Sequence, residues 1–281
     1  MVKQLLGWIF LFILVLNSSG NLLAQRAQIE SFRNEVEGFY DYAAKADIEN
    51  FSCLLTSTPY IAFIKQMADS QYFYPLKFLW QKSGKAYFIL QPLPKVDNDK
   101  RREILIQAQQ LKRLFRGIYL DWQKYSLFSP VGMYSPKATF IDYGDTVAIE
   151  DYYTDATQNV RTRRLFSKAG LLLKDEWDNG DYHIINLPVW QTVKNKWVCV
   201  GWRSQIYNQG QISSGMEVNL QLINLDGIWL PYQIDILAQS KDNPTEQVLT
   251  SLYLKNYFFN EKIEVVKRDS TQTSENANSP Q

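Results

Sequence analysis

Histidine is almost absent: His183 is the only one in 281 residues. That excludes metal centres and catalysis built on several imidazoles. Cysteine is scarce as well, with only Cys53 and Cys199, and no local zinc-ligand spacing accompanies them. Neither sign of charge dominates, since 30 Lys+Arg against 29 Asp+Glu leave +1. No overall field therefore recruits nucleic acid or an anionic membrane. A Walker loop, a dinucleotide fingerprint and a Gly-x-Ser-x-Gly elbow are all missing. His183, in Asp181-Tyr-His-Ile-Ile, would need a nucleophile and an orienting acid to act as a base; it reads as an ordinary surface or packed histidine. The expectation is a non-enzymatic protein without cofactor or metal.

What is abundant is apolar surface, at 46% of residues with 14% aromatic. Such a chain can bury a core, so global disorder and fibrous classes are out.

The longest apolar run is Leu5–Leu16, behind Lys3. A bilayer-spanning helix needs roughly 20 residues, so the run reads as the core of a signal peptide. Cleavage is expected after Ala24, with Ser18-x-Gly20 as a fallback and an uncleaved anchor as the rival. Export to the periplasm follows. In that oxidising compartment Cys53 and Cys199 could form a disulfide; their apolar neighbours equally suit two buried thiols.

Periodicity organises the rest. A first helix is expected over Arg26–Ala46, with Ile29, Phe32, Val36, Phe39 or Tyr40, and Ala43 on one face. A strand over Ile48–Thr56 and a short helix over Tyr60–Ala68 follow. Leu76–Gln81 and Lys85–Gln91 flank Ser83-Gly84 as a hairpin. A second helix over Asp97–Arg116, capped by Asp97 or Asn98, is expected to stop at Gly117. From Lys137 onward successive strands are separated by Gly144-Asp145 or its like: Lys168-Ala-Gly170, Asn179-Gly180, Lys194-Asn195 and Asp226-Gly227. Hairpins in series mean a meandering antiparallel sheet. Residues 268–281 are polar and expected to be disordered. One domain over 25–267 is the simplest account.

Within the strands, Val218 and Leu220 alternate with Glu217 and Asn219, and Leu230, Tyr232 and Ile234 share a face. Phe78 and Trp80 do the same in the early hairpin. Period-two alternation means one wet face and one dry face. The dry face either packs a solid core or leaves a slot for an apolar ligand, with Trp80, Trp202 and Tyr232 contributing area either way. Charged clusters read as local features. Asp175–Asp181 lacks carboxylates where a calcium loop requires them and reads as a solvated hairpin turn. Glu150-Asp151 could serve a glycosidase only with partners from elsewhere. Lys100–Arg102 reads as the wet side of the second helix, and Arg161–Arg164 as a surface for lipid phosphates or a protein partner.

An exported chain that begins with an amphipathic helix and continues as Tyr74-Pro-Leu-Lys-Phe-Leu-Trp-Gln-Lys-Ser-Gly-Lys-Ala-Tyr-Phe-Ile-Leu90 resembles the LolA/LolB-type lipoprotein carrier superfamily. Thr139–Ile149 and Ile228–Ile236 carry the same texture, so the resemblance extends over about Ile29 to Val265. It implies an α+β fold: a curved antiparallel sheet forming an unclosed half-barrel, with N-terminal and mid-chain helices packed on its concave face. It also implies binding of lipid or lipoprotein acyl chains, for transfer to the outer membrane, by a monomer. The wall would be Phe78, Trp80, Trp202, Val218, Leu220, Leu230, Tyr232 and Ile234. The competing expectation is an exported module for protein interaction or envelope-stress sensing, with an envelope protein partner and no lipid.

Overall fold

The structure, a computed structural model, describes residues 22–67, 72–132, 134–155, 158–240 and 247–262. The apolar run Leu5–Leu16 and the polar tail 268–281 lie outside the described residues. Among those described, no helix is long and apolar enough to cross a membrane.

Helix α1 covers residues 22–36, so it already runs through the cleavage point expected after Ala24. It buries Ile29, Phe32 and Val36, the spacing expected of one apolar face. It ends ten residues earlier than its periodicity suggested, because Tyr40 is pulled into extended conformation. There Tyr40 bridges Trp197, and the Asp41 N–H donates to the Trp197 carbonyl at 3.0 Å. Two 3-10 turns, Glu37–Phe39 and Ala43–Lys45, carry the chain onward. Strand β1 (Asn50–Ser57) leads into α2 (Thr58–Met67). Pro59 sits in the first turn, where its missing N–H costs nothing, and the Tyr60 N–H donates to Ser57 Oγ.

Strands β2 (Leu76–Gln81) and β3 (Ala86–Leu90) form the expected hairpin. Helix α3 spans Asn98–Trp122, with the Lys100 N–H donating to the Asp97 carboxylate at its start. Gly117 does not stop it. That residue is exposed on the outer side, and burial of Ile118, Tyr119 and Trp122 beyond it holds the helix together. A π turn, Gln123–Leu127, then buries Tyr125 and Leu127.

Nine strands follow: β4 (Thr139–Asp142), β5 (Thr146–Asp155), β6 (Gln158–Ser167), β7 (Leu172–Asp178), β8 (Tyr182–Val193), β9 (Lys196–Asn208), β10 (Gln211–Leu225), β11 (Ile228–Ser240) and β12 (Gln247–Phe259). Strand β10 is entered through Gln209-Gly210, a two-residue turn with positive φ at both positions. Lys194-Asn195 and Asp226-Gly227 do the same, as a hairpin with the strands' own twist requires. At Asn179-Gly180 only the glycine has positive φ.

Among the described residues, twelve strands form one antiparallel sheet in the order β3-β2-β1-β12-β11-β10-β9-β8-β7-β6-β5-β4. The first strand pairs with the last, so the two free edges are β3 and β4. These edges are consecutive in sequence and are joined through α3. The result is the expected unclosed half-barrel, α+β in class. Helix α1 packs on the β4–β7 side, where Phe32 meets Phe140 and Phe166 at 5.8 and 5.3 Å between ring centroids. Gly170 has φ +88°, and a Cβ there would lie 2.3 Å from Val36 Cγ1; the absence of a side chain lets α1 sit this close. Helix α3 packs on the β1–β3 side. Its first half makes a second, smaller core with α2 through Tyr60, Ile64, Ile104 and Ala108.

Candidate functional site

The concave face is where the sequence places an apolar wall, and most of that wall is there. Phe78, Trp80, Trp202, Val218, Leu230 and Ile234 have no exposed surface, and Leu220 is also buried. Tyr232 is a correction: it is 45% exposed on the opposite face. Pairing passes from Gln221↔Gln233 to Leu222↔Pro231, so Tyr232 is the extra residue of a bulge and leaves the alternation. Its hydroxyl donates to the Gln221 side chain at 2.8 Å.

The two helices fill the hollow. Phe78 is surrounded by Phe115, Tyr119 and Trp122 of α3 at 5.1, 5.2 and 5.9 Å. Trp80 stacks on Phe51 at 5.1 Å and reaches Phe128 at 5.6 Å. Trp202 lies 5.8 Å from Tyr125. Two cavities, of about 330 Å³ beside α2 and about 440 Å³ on the outer side of α3, are lined by none of the eight wall residues. The packing is apolar but not fully satisfied. The indole N–H groups of Trp80, Trp122 and Trp202 and the Tyr119 hydroxyl are buried with no hydrogen-bond partner among the described residues. Such orphan donors are few in native cores.

Cys53 and Cys199 are both buried and free. Strands β12, β11 and β10 separate β1 from β9, so the disulfide is replaced by two separate thiols. Burial pushes the Cys199 thiol up to about 12 and raises that of Cys53 further still.

A buried charge cluster joins the end of α3 to β6, β7 and β8, and the sequence reading missed it. Strands β6 and β7 zip the two charged stretches together, pairing Arg161 with Asp178, Arg163 with Glu176, and Arg164 with Asp175. Arg161 reaches Asp178 at 3.3 Å; Arg163 reaches Glu150 at 3.3 Å and Glu176 at 3.8 Å. The basic stretch is therefore neutralised by its neighbour rather than presented to a partner, and Asp175 and Glu176 are buried rather than solvated. Facing inward, Asp175 accepts from the Tyr125 hydroxyl at 3.0 Å and lies 3.2 Å from Lys124 and 3.5 Å from Arg164. Lys124 also approaches Asp121 at 3.5 Å, and Asn186 donates to Asp121 at 3.1 Å. Burial alone would raise the Asp175 carboxyl, but Lys124, Arg164 and the Tyr125 hydroxyl outweigh it and hold the group below its ordinary value. Burial and the nearby Asp175 charge push Asp121 up, against Lys124. Two carboxylates face two cations, so the cluster is internally balanced and clamps the end of α3 to β6, β7 and β8. A signal for it was available: charges of opposite sign on the two arms of one expected hairpin.

His183 is partly buried, 5.8 Å from the Tyr207 ring. Among the described residues, no group of three or more His, Cys, Asp or Glu side chains could hold a metal ion. The fold and site together define a helix-filled, unclosed antiparallel half-barrel. No family model, curated protein or solved structure matches the chain.

Proposed function

We propose that this protein is an exported, non-enzymatic binder of lipid or lipoprotein acyl chains, working in the periplasm in the manner of the LolA/LolB-type carriers. The concave face is the binding surface, and α3 with α1 is its lid. One observation carries the reading: the dry face of an unclosed sheet is covered by side chains of α1, α3 and the segment after α3, between two free edges. Moving α3 aside would bare Phe78, Trp80 and their neighbours as one continuous apolar surface. Each acyl methylene buried there contributes about 0.8 kcal/mol, so ten of them contribute about 8 kcal/mol toward displacing Phe115, Tyr119 and Trp122. The orphan donors on Trp80, Trp122, Trp202 and Tyr119 suit the ester or amide oxygens at the head of such a chain. The resting state is closed, so binding and lid movement are one event.

A second reading is favoured by the burial of seven of the eight wall residues: a solid-core module that engages an envelope protein partner and holds no lipid. Organic extraction of freshly purified protein, followed by mass spectrometry, separates the two. The carrier reading expects a stoichiometric co-purifying lipid or lipidated peptide. Its absence, together with no uptake from added fatty acid, favours the solid module.

A further inference from the structure

Helix α3 has an outer face that stays exposed among the described residues. Arg102, Ile106, Gln109, Arg113, Arg116 and Leu120 recur at alternating four- and three-residue intervals, which places them in one stripe along the helix. All six are exposed. The stripe lies opposite the buried series Ile104, Ala108, Leu111, Phe115, Ile118 and Trp122. Ile106 and Leu120 leave 48% and 58% of their surface in water. A shallow groove of about 440 Å³, lined by Arg102, Leu105, Ile106 and Arg113 among others, runs along it.

The charged members of the stripe, Arg102, Arg113 and Arg116, are all cations. Six cations, Lys100 to Arg102, Lys112, Arg113 and Arg116, stand on the helix between Asn98 and Gly117, against Asp99 and Glu103. Among the described residues, Arg101, Arg102, Lys112, Arg113 and Arg116 have no carboxylate at ion-pair distance; Lys100 alone reaches one, Asp97, at 3.9 Å. By contrast Arg161, Arg163 and Arg164 are all paired. A chain with net charge +1 has thus gathered an unneutralised basic stripe on one helix and interleaved it with branched aliphatics.

We infer that this outer face of α3 docks on an anionic phospholipid surface, the arginines meeting headgroup phosphates while Ile106 and Leu120 enter the acyl boundary. Cations alone would suit a nucleic acid or an acidic peptide equally well, but a nucleic acid would leave the two aliphatic side chains in water, and an acidic peptide would need its own apolar residues in register with them. A headgroup layer accommodates both kinds of group side by side. Because α3 joins the two free edges β3 and β4, docking brings the open seam of the half-barrel to the bilayer. The inference holds whether or not the hollow takes a lipid.

The test is a fluorescent reporter on the full chain. Leu120→Cys carries an environment-sensitive dye; Cys53 and Cys199, being buried, remain unlabelled in the folded protein. Tyr232→Cys on the opposite face of the sheet is the control position. Vesicles rich in phosphatidylglycerol shift the Leu120 probe to the blue, pure phosphatidylcholine vesicles do not, and high salt reverses the shift. Arg102→Gln, Arg113→Gln and Arg116→Gln each weaken vesicle affinity by about fivefold, with near-UV circular dichroism unchanged. If a variant fails to fold, the lipid and salt dependence of the parent probe still decides. No shift, an equal shift on phosphatidylcholine, or an equal shift at Tyr232 overturns the inference. A shift produced by polyglutamate without vesicles also overturns it and assigns the face to an acidic protein.

Discussion

Phe115 of α3 meets Phe78 of β2 edge to face, their ring centroids 5.1 Å apart and their planes at 85°. One ring belongs to the proposed lid and the other to the proposed wall, so a single substitution at this contact tests whether it shuts the hollow. Phe115→Ala removes a fully buried ring and costs about 3–5 kcal/mol. If acyl chains enter beside Phe78, the same substitution raises affinity for added fatty acid, because less protein must be displaced. Thermal unfolding and fatty-acid titration on the one variant check both arms. Lower stability with no gain in binding favours the solid module.

Tyr40 ties the end of α1 to the start of β7. Its hydroxyl donates to the Gly170 carbonyl at 2.6 Å and accepts from the Leu172 N–H at 2.7 Å. Tyr40→Phe leaves both groups buried and unpaired, at a cost of about 1–3 kcal/mol. Hydrogen exchange of the Leu172 amide should accelerate. Unchanged stability and exchange would show that α1 is held by its apolar face alone.

How much of this was legible in the chain depends on the range of the forces involved. Alternation and turn chemistry are local, so the hairpin Leu76–Leu90 and the strands after Lys137 could be read with small errors at their ends. The end of α1 at Val36 could not, because it is set by Tyr40 reaching Trp197 and Gly170. Gly117 is a poor helix residue, yet α3 passes through it since Ile118 and Trp122 are buried beyond. Seven of the eight wall residues lie on the dry face as expected. The eighth, Tyr232, was lost to a bulge, which breaks period-two arithmetic without a local signature. Whether the dry face is wall or filling depends on α3 crossing between edges that are far apart along the sheet, and no periodicity encodes that.

The clamp at Asp175 has a pH signature. Its folded-state carboxyl titrates below the ordinary 3.8, so its contribution is present above that value and lost as pH falls through the lower folded one. At neutral pH, Asp175→Asn leaves Arg164 and Lys124 short of a counter-charge and costs about 3 kcal/mol. Denaturant melts of parent and variant should differ at pH 7 and converge in strong acid. Asp121, whose carboxyl is raised, gives the opposite slope: folding is relieved as pH drops through its folded value. Asp121→Asn should therefore cost less than Asp175→Asn. A pH-independent difference at Asp175 would contradict the ion-pair account.

Both thiols are sealed. With the Cys199 thiol held near 12 by burial and Cys53 higher still, neither forms thiolate at neutral pH. Ellman's reagent should find no reactive thiol in the folded protein and two after unfolding. Reducing agent should leave the melting temperature unchanged. A reductant-dependent melt would instead reveal a bridge.

The central claim is that acyl chains and the lid compete for the concave face. Fatty acids bearing a nitroxide quencher near the tail test it most directly, because Trp80, Trp122 and Trp202 lie fully buried in the hollow. The account expects saturable quenching of their emission at one acyl chain per protein, matched by faster hydrogen exchange along α3. Emission unaffected by the quencher, with α3 amides equally protected at every lipid concentration, would contradict it.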